Sequence, residues 1–329
     1  MSVRPGYYLG GNADIRADAA TIGNVRAITQ YRSLADANLL PGWKADWINQ
    51  LDRDTLLNVV VELKHYGAKL GPQKLNDRTV PAPSMLIQRR DGKGVPAYGY
   101  DQVTSGQLDP LLDRLLTQLR AMPHPEMINL QVASEFDTDH EFGTTDCGRT
   151  YTWAESDTRA VRAVKYMISY LLDAGLPQGV TFSVGMGGFD RAAFRRMHPA
   201  SLAPLVDRLQ WNAYNHGSHR DPYAVLNRTK VWAVADLDPR WLRKPAIIAE
   251  YGTAASLGSQ AAWLAGIPTA VDRMQSEGGP HLEALIYFNS NPEWATLTPK
   301  ADGLAALSRA YRMAPLAADL RPVACNHAR

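Results

Sequence analysis

The stretch Lys244-Pro245-Ala246-Ile247-Ile248-Ala249-Glu250-Tyr251-Gly252 decides the fold: an apolar run enters after a proline and closes on a carboxylate and then a glycine. A second stretch has the same form, Ile128-Asn129-Leu130-Gln131-Val132-Ala133-Ser134-Glu135, with Phe136-Asp137 after the acid. Such runs read as parallel strands that end at a loop, because a strand covered on both faces has no solvent side on which polar residues alternate. Outward from these two, short apolar runs alternate with longer amphipathic segments along almost the whole chain, the pattern of repeated βα units. Eight strands can be assigned: Gly6 to Gly10, Val25 to Tyr31, Leu56 to Leu63, Met127 to Ser134, Val180 to Gly185, Arg208 to Tyr214, Ala246 to Glu250 and Ala284 to Phe288. The count predicts an α/β chain folded as a (β/α)8 TIM barrel.

Between the fourth and fifth strands, Val161, Val164, Met167, Ile168, Leu171 and Leu172 recur at helical spacing, so a helix is expected over Thr158 to Ala174, stopped by Gly175 and Pro177. Leu108 to Met122 and Ser259 to Gln275 read as further outer helices. Two connections exceed a minimal barrel loop: Tyr66 to Gly106, rich in Gly, Pro and charge, and Asp137 to Ser156, a polar excursion directly after Glu135. Loops this long in a compact domain are usually functional, and their positions after strands three and four put them on the rim that bears the strand ends. No internal repeat or linker divides the chain, so residues 1–329 are expected to form one domain.

The 35 basic and 33 acidic residues nearly cancel, which gives no electrostatic case for nucleic acid or an anionic membrane as partner. No apolar stretch is long enough to span a bilayer, so membrane insertion is not expected. Two cysteines, Cys147 and Cys325, make no disulfide framework in a chain this long, and whether they pair stays open, as does the oligomeric state. Met1 to Tyr8 runs into the first strand with no basic segment followed by an apolar one, so no secretory leader is expected at this end. Action outside the cell would then require a leader removed earlier, release by lysis, or carriage on a particle.

The chemistry is read from where Glu135 and Glu250 would sit. Barrel strand ends are where reactive groups are placed. A carboxylate at the mouth of an apolar barrel is partly desolvated, which disfavours its charged form and can make it a proton donor near neutral pH. Two such groups can divide the work of retaining glycoside hydrolysis, one as acid and one as ionised nucleophile, about 5 to 5.5 Å apart.

Several consecutive segments carry a family resemblance: Tyr98-Gly99-Tyr100-Asp101 through Gly106-Gln107-Leu108-Asp109, Ser134-Glu135-Phe136-Asp137, Met197-His198-Pro199, Leu209-Gln210-Trp211-Asn212-Ala213-Tyr214-Asn215, Lys244-Pro245 to Glu250-Tyr251-Gly252, and Ile286-Tyr287-Phe288-Asn289. In this order they resemble clan A glycoside hydrolases, and within them glycoside hydrolase family 26, across roughly residues 95 to 290. The resemblance implies Glu135 as general acid/base, Glu250 as nucleophile and Tyr214 as a hydrogen-bond donor to the nucleophile, with no cofactor and no metal. Ser134 stands where that family has histidine, Phe136-Asp137 where it has Met-Asn, and Gln131 where mannan-active members have arginine; these departures bear on which sugar is bound. Sugar contacts are assigned to Trp211, Asn212, His216, Tyr287, Asn289, Trp294, His65 and Asp137, with Trp153 as a further ring able to stack on a sugar face.

Other apparent motifs read differently. Asp137-Thr138-Asp139-His140-Glu141 lacks the glycine and the distant glutamate of an EF-hand loop. His216 and His219 have no third ligand nearby for zinc, and Gly185-Met186-Gly187-Gly188 lacks the spacing and lysine of a phosphate loop. The expected activity is a retaining β-glycosidase acting on a polysaccharide or oligosaccharide. The competing expectations are a catalytically inactive carbohydrate-binding or adhesin domain on the same scaffold, and a metal-dependent barrel hydrolase.

Overall fold

The computed structural model describes residues 3–8, 15–37, 54–65, 71–75, 77–88, 94–132, 141–142, 152–215, 220–289 and 301–316. Along the chain the described strands are β1 (Arg4–Tyr8), β2 (Ala27–Ser33), β3 (Leu56–Glu62), β4 (Gln73–Leu75), β5 (Arg78–Val80), β6 (Met85–Gln88), β7 (Gly94–Ala97), β8 (Ile128–Val132), β9 (Glu141–Phe142), β10 (Thr181–Val184), β11 (Arg208–Asn215), β12 (Ala246–Thr253) and β13 (Leu282–Tyr287). Eight of them close a barrel in the order β1-β13-β12-β11-β10-β8-β3-β2. Every neighbouring pair around it is parallel. With the flanking helices this is the (β/α)8 TIM barrel that the alternation of short and long segments predicts.

The barrel has an apolar outer face and a mixed interior. Outward residues of the strands, such as Leu57, Val59 and Val61 on β3 and Leu130 and Val132 on β8, share one core with Leu111, Leu112, Leu115 and Leu119 of the helix Asp109–Ala121 and Val164, Met167, Ile168 and Leu171 of the helix Trp153–Asp173. Inside, Ala27, Leu56, Ile247, Ala249, Ala284 and Ile286 form a small apolar cluster. Gly6 lies on this inner face, where an added Cβ would come within 2.6 Å of the Ala27 carbonyl and 2.8 Å of Ile286. At the barrel floor Glu283 accepts from both Arg4 and Arg208. Burial alone would raise the Glu283 carboxyl, but Arg208 and then Arg4 outweigh it and hold it below the usual range.

The expected strands agree with the observed ones within a few residues, and the departures have local causes. The helix predicted from Thr158 begins at Trp153, because Thr152 and Glu155 form a reciprocal capping box a full turn earlier. The helix predicted over Ser259 to Gln275 is two, Gln260–Ala265 and Ile267–Ser276, divided at Gly266 with Pro268 in the first turn of the second. A proline there lacks only an N–H that the helix start leaves unpaired anyway. The long connection after β3 is built rather than irregular: β4 and β5 pair as a hairpin, and β6 pairs antiparallel with β7. On its other edge β6 takes β9, Leu86 facing Phe142 and Ile87 facing Glu141, so the excursion after strand four is tied to the excursion after strand three.

Candidate functional site

The C-terminal ends of β11 and β12 bring together Glu250, Asn212 and Tyr214, all buried, with Glu250 only 3% exposed. Asn212 Nδ2 donates to Glu250 Oε2 at 3.1 Å, and the Tyr214 hydroxyl donates to the same oxygen. Two donors on one carboxylate oxygen fix its position and favour its ionised form. Tyr214 lies edge-on to Phe288, with ring centroids 5.6 Å apart. Phe288 stacks on Tyr8 at 4.8 Å, and Tyr8 meets Tyr31 edge-on at 5.6 Å. An aromatic series therefore runs from beside Glu250 along the ends of β13, β1 and β2, with Tyr8 and Tyr31 half-buried.

The glutamate reaches this position through a β-bulge. Against β11 the register runs Trp211 opposite Ile248 and then Asn212 opposite Glu250, so Ala249 is an extra residue. Ile248 and Tyr251 belong to the outer core, whereas Ala249 belongs to the inner cluster. Strict alternation would turn Glu250 outward after Ala249. The bulge returns it to the barrel mouth, the kind of re-aiming for which bulges are found beside reactive sites. Asn212 is held from behind: its amide donates to the Met186 carbonyl at 2.9 Å, and Gly188, at φ +74°, lies so close that a Cβ would come within 2.5 Å of the Asn212 carbonyl. The glycine-rich segment Gly185 to Gly188 thus serves close backbone packing behind β11.

The other expected sugar contacts separate. Trp211, 1% exposed, and Tyr287, 0% exposed, project outward into the core between barrel and helices. Neither ring has a free face, which removes both from the expected contacts; Tyr287 packs at 6.1 Å on Tyr7 and 5.2 Å from Tyr251. Asn289 is also buried and donates to the Tyr7 hydroxyl at 2.7 Å and to Asp18 Oδ2 at 3.1 Å. This ties it to the helix Ile15–Ile22 rather than to Glu250. His65 follows β3, its amide donating to the Pro96 carbonyl at 2.8 Å at the root of the β6–β7 insert. Gln131 lies inside the lumen, bonded to Asn58 and Gln210. Glu135, Asp137, His216, His219, Trp294, Cys147 and Cys325 lie outside the described residues, as does the Trp153 side chain.

One pair escaped the sequence reading. Glu62 and Lys64 form a buried ion pair of 2.9 Å at the rim end of β3. Asn58 on the same strand bonds within the lumen, and period-two alternation from it turns Glu62 and Lys64 to the mouth. The signal was present in Leu56 to Lys64, where charges two residues apart close an apolar run. Among the described residues no group of three or more His, Cys, Asp or Glu could hold a metal ion, and no helix is long and apolar enough to cross a membrane.

The closed (β/α)8 barrel is shared with solved structures of glycoside hydrolases. A family 26 β-mannanase from Bacteroides ovatus superposes with a TM-score of 0.58 at 11% identity, over 94% of this chain and 88% of that chain. An endo-β-1,4-mannanase double mutant from Cellulomonas fimi gives 0.56 at 14% identity, over 96% of this chain and 71% of that one. Fungal β-1,4-galactanases give 0.56 at 13%, over 95% and 100%. At these identities the likeness is one of fold. No family model and no curated protein sequence matches the chain.

Proposed function

We propose that the chain is a retaining β-glycosidase of clan A, related to family 26, acting on a polysaccharide or oligosaccharide as one catalytic unit over residues 1–329. The observation that carries this reading is Glu250 at the barrel mouth with Tyr214 and Asn212 both donating to its Oε2. Two donors hold this carboxylate in place and favour the charged form that a nucleophile requires. Glu250 attacks the anomeric carbon while Glu135, at the end of the fourth strand run, protonates the leaving oxygen. The covalent glycosyl-enzyme is then hydrolysed by a water that Glu135 deprotonates. Besides the glycan and the water, these steps draw on Glu250 and Glu135.

The aromatic series from Tyr214 through Phe288 and Tyr8 to Tyr31 supplies apolar faces for pyranose C–H edges, and Glu62 and Lys64 supply charged partners for hydroxyls on the opposite side.

The test is reducing-sugar release from β-mannans, β-glucans, xylans, galactans and bacterial cell-wall glycans, with Glu250→Ala and Glu135→Ala beside the wild type. Release that vanishes in both variants supports the assignment, and the anomer first released, followed by proton NMR, reports retention. Silence across the panel, with binding to one glycan unchanged in Glu250→Ala, would replace the enzyme by a carbohydrate-binding scaffold.

A further inference from the structure

The bulge that aims Glu250 leaves the Ala249 carbonyl in the lumen, where a carbonyl without a partner would be costly. It is not left so. Thr29 Oγ1, on β2 and three strands away around the barrel, donates to the Ala249 carbonyl across the lumen at 3.2 Å. A threonine hydroxyl has one proton to give. Asn58 Nδ2 donates to Thr29 Oγ1 at 3.2 Å, so the hydroxyl proton is directed to Ala249.

Asn58 is fixed in turn. Its Oδ1 accepts from Asn129 Nδ2 at 2.7 Å, and its Nδ2 also donates to Gln131 Oε1 at 3.2 Å. Asn129 cannot reverse, because its Oδ1 accepts from Arg208 Nη1 at 3.5 Å, and a guanidinium only donates. One path of hydrogen bonds therefore runs from the Arg208 cation at the floor through Asn129, Asn58 and Thr29 to the carbonyl beside Glu250, each member donating to the next. Low polarity around such a chain strengthens each link through its neighbours.

We propose that Thr29 is a positioning residue for Glu250, holding the Ala249 bulge from across the lumen, and that Asn58 aims its hydroxyl. Thr29 touches no reacting atom; it acts by fixing the backbone from which Glu250 projects. The proposal rests on the reading of Glu250 as nucleophile, and its test separates the two.

Protein labelled with [1-13C]alanine and [5-13C,15N]glutamate contains two Ala-Glu linkages, Ala154-Glu155 and Ala249-Glu250. The carbonyl of Ala154, which accepts from Thr158, is an internal control. The Glu250 carboxyl signal is identified by its loss in Glu250→Gln. Thr29→Val keeps the shape and removes the hydroxyl, and Thr29→Ser restores it. The expected result is that Thr29→Val shifts the Ala249 carbonyl and the Glu250 carboxyl signals, leaves Ala154 in place, and lowers kcat between about ten- and a hundredfold with KM little changed. Thr29→Ser returns all three toward the wild type. Unmoved Glu250 signals in Thr29→Val, or moved signals that Thr29→Ser does not restore, overturn the proposal; so does full kcat in an active enzyme whose Ala249 carbonyl has shifted. A wild type without turnover on any glycan counts against the glycosidase reading alone, and the carbon shifts still decide whether Thr29 positions Glu250. Should Thr29→Val fail to fold, Thr29→Ala removes the same hydroxyl with less bulk and is read by the same criteria.

Discussion

Tyr214 reaches Glu250 diagonally: its register partner on β12 is Gly252, and the residue opposite Glu250 is Asn212. The phenol thus spans two residues of the neighbouring strand to share one carboxylate oxygen with the amide of Asn212. Both donors come from alternate positions of a single strand, so one rigid element sets both bonds.

Tyr214→Phe removes one of these donors and keeps the ring against Phe288. Turnover is expected to fall by roughly a hundredfold, the loss seen when one preorganised donor is deleted. Steady-state kinetics on whichever glycan is cleaved, with thermal unfolding to show an intact fold, check this. An unchanged kcat would separate Tyr214 from the reaction.

Gly188→Ala is expected to disturb Asn212 without touching Glu250. The left-handed backbone and the 2.5 Å approach to the Asn212 carbonyl both oppose a Cβ, which costs about 1–3 kcal/mol in strain. Urea unfolding reads the stability loss. The neighbouring Gly187→Ala serves as the comparison in the same assay.

His198 predicts acid sensitivity away from the site. Burial pushes it down to about 4, and only the Nδ1 contact to the Phe194 carbonyl at 2.7 Å pulls the other way. That contact makes Nδ1 the donor, so a proton added at the buried Nε2 would have no acceptor. Between pH 4 and 6.5 the unfolded chain binds more protons than the folded one, so this contribution is complete above pH 6.5 and declines as pH falls toward 4. The whole effect is about 3 kcal/mol. Chemical unfolding at pH 7.5 and pH 5 measures the decline, and His198→Phe is expected to flatten it.

Glu283→Ala leaves Arg4 and Arg208 buried at the floor without their shared counter-charge. A destabilisation of about 3–5 kcal/mol is expected from breaking a buried pair in this way. The depressed carboxyl contributes stability that is present above its unfolded value near 4.5 and lost as pH falls through the folded one. The variant is therefore expected to show less acid-dependent loss than the wild type when the two are unfolded in urea from pH 5 down to pH 2.

Much of this was legible in the sequence, and the failures share a cause. Eight apolar runs separated by helical segments led to a barrel, and an acid before glycine at the end of one run marked the Glu250 mouth. Tyr214 was named only through the resemblance of Leu209 to Asn215 to the sixth strand of family 26. Trp211 and Tyr287 were misplaced because a strand buried on both faces does not show which face is lumen and which is outer core. The bulge at Ala249 was invisible for a related reason: one extra residue inverts the alternation after it and leaves no trace in composition. The division at Gly266 was written in Gly266-Ile267-Pro268, but the apolar periodicity continued across it.

The pairing of β6 with β9 makes the two rim insertions a single part. An insertion or deletion within either paired strand shifts a register that the other must follow, since the backbone pairs Leu86 with Phe142 and Ile87 with Glu141. A graft of either insertion has to carry both segments, residues 66–99 and 133–152, as one unit.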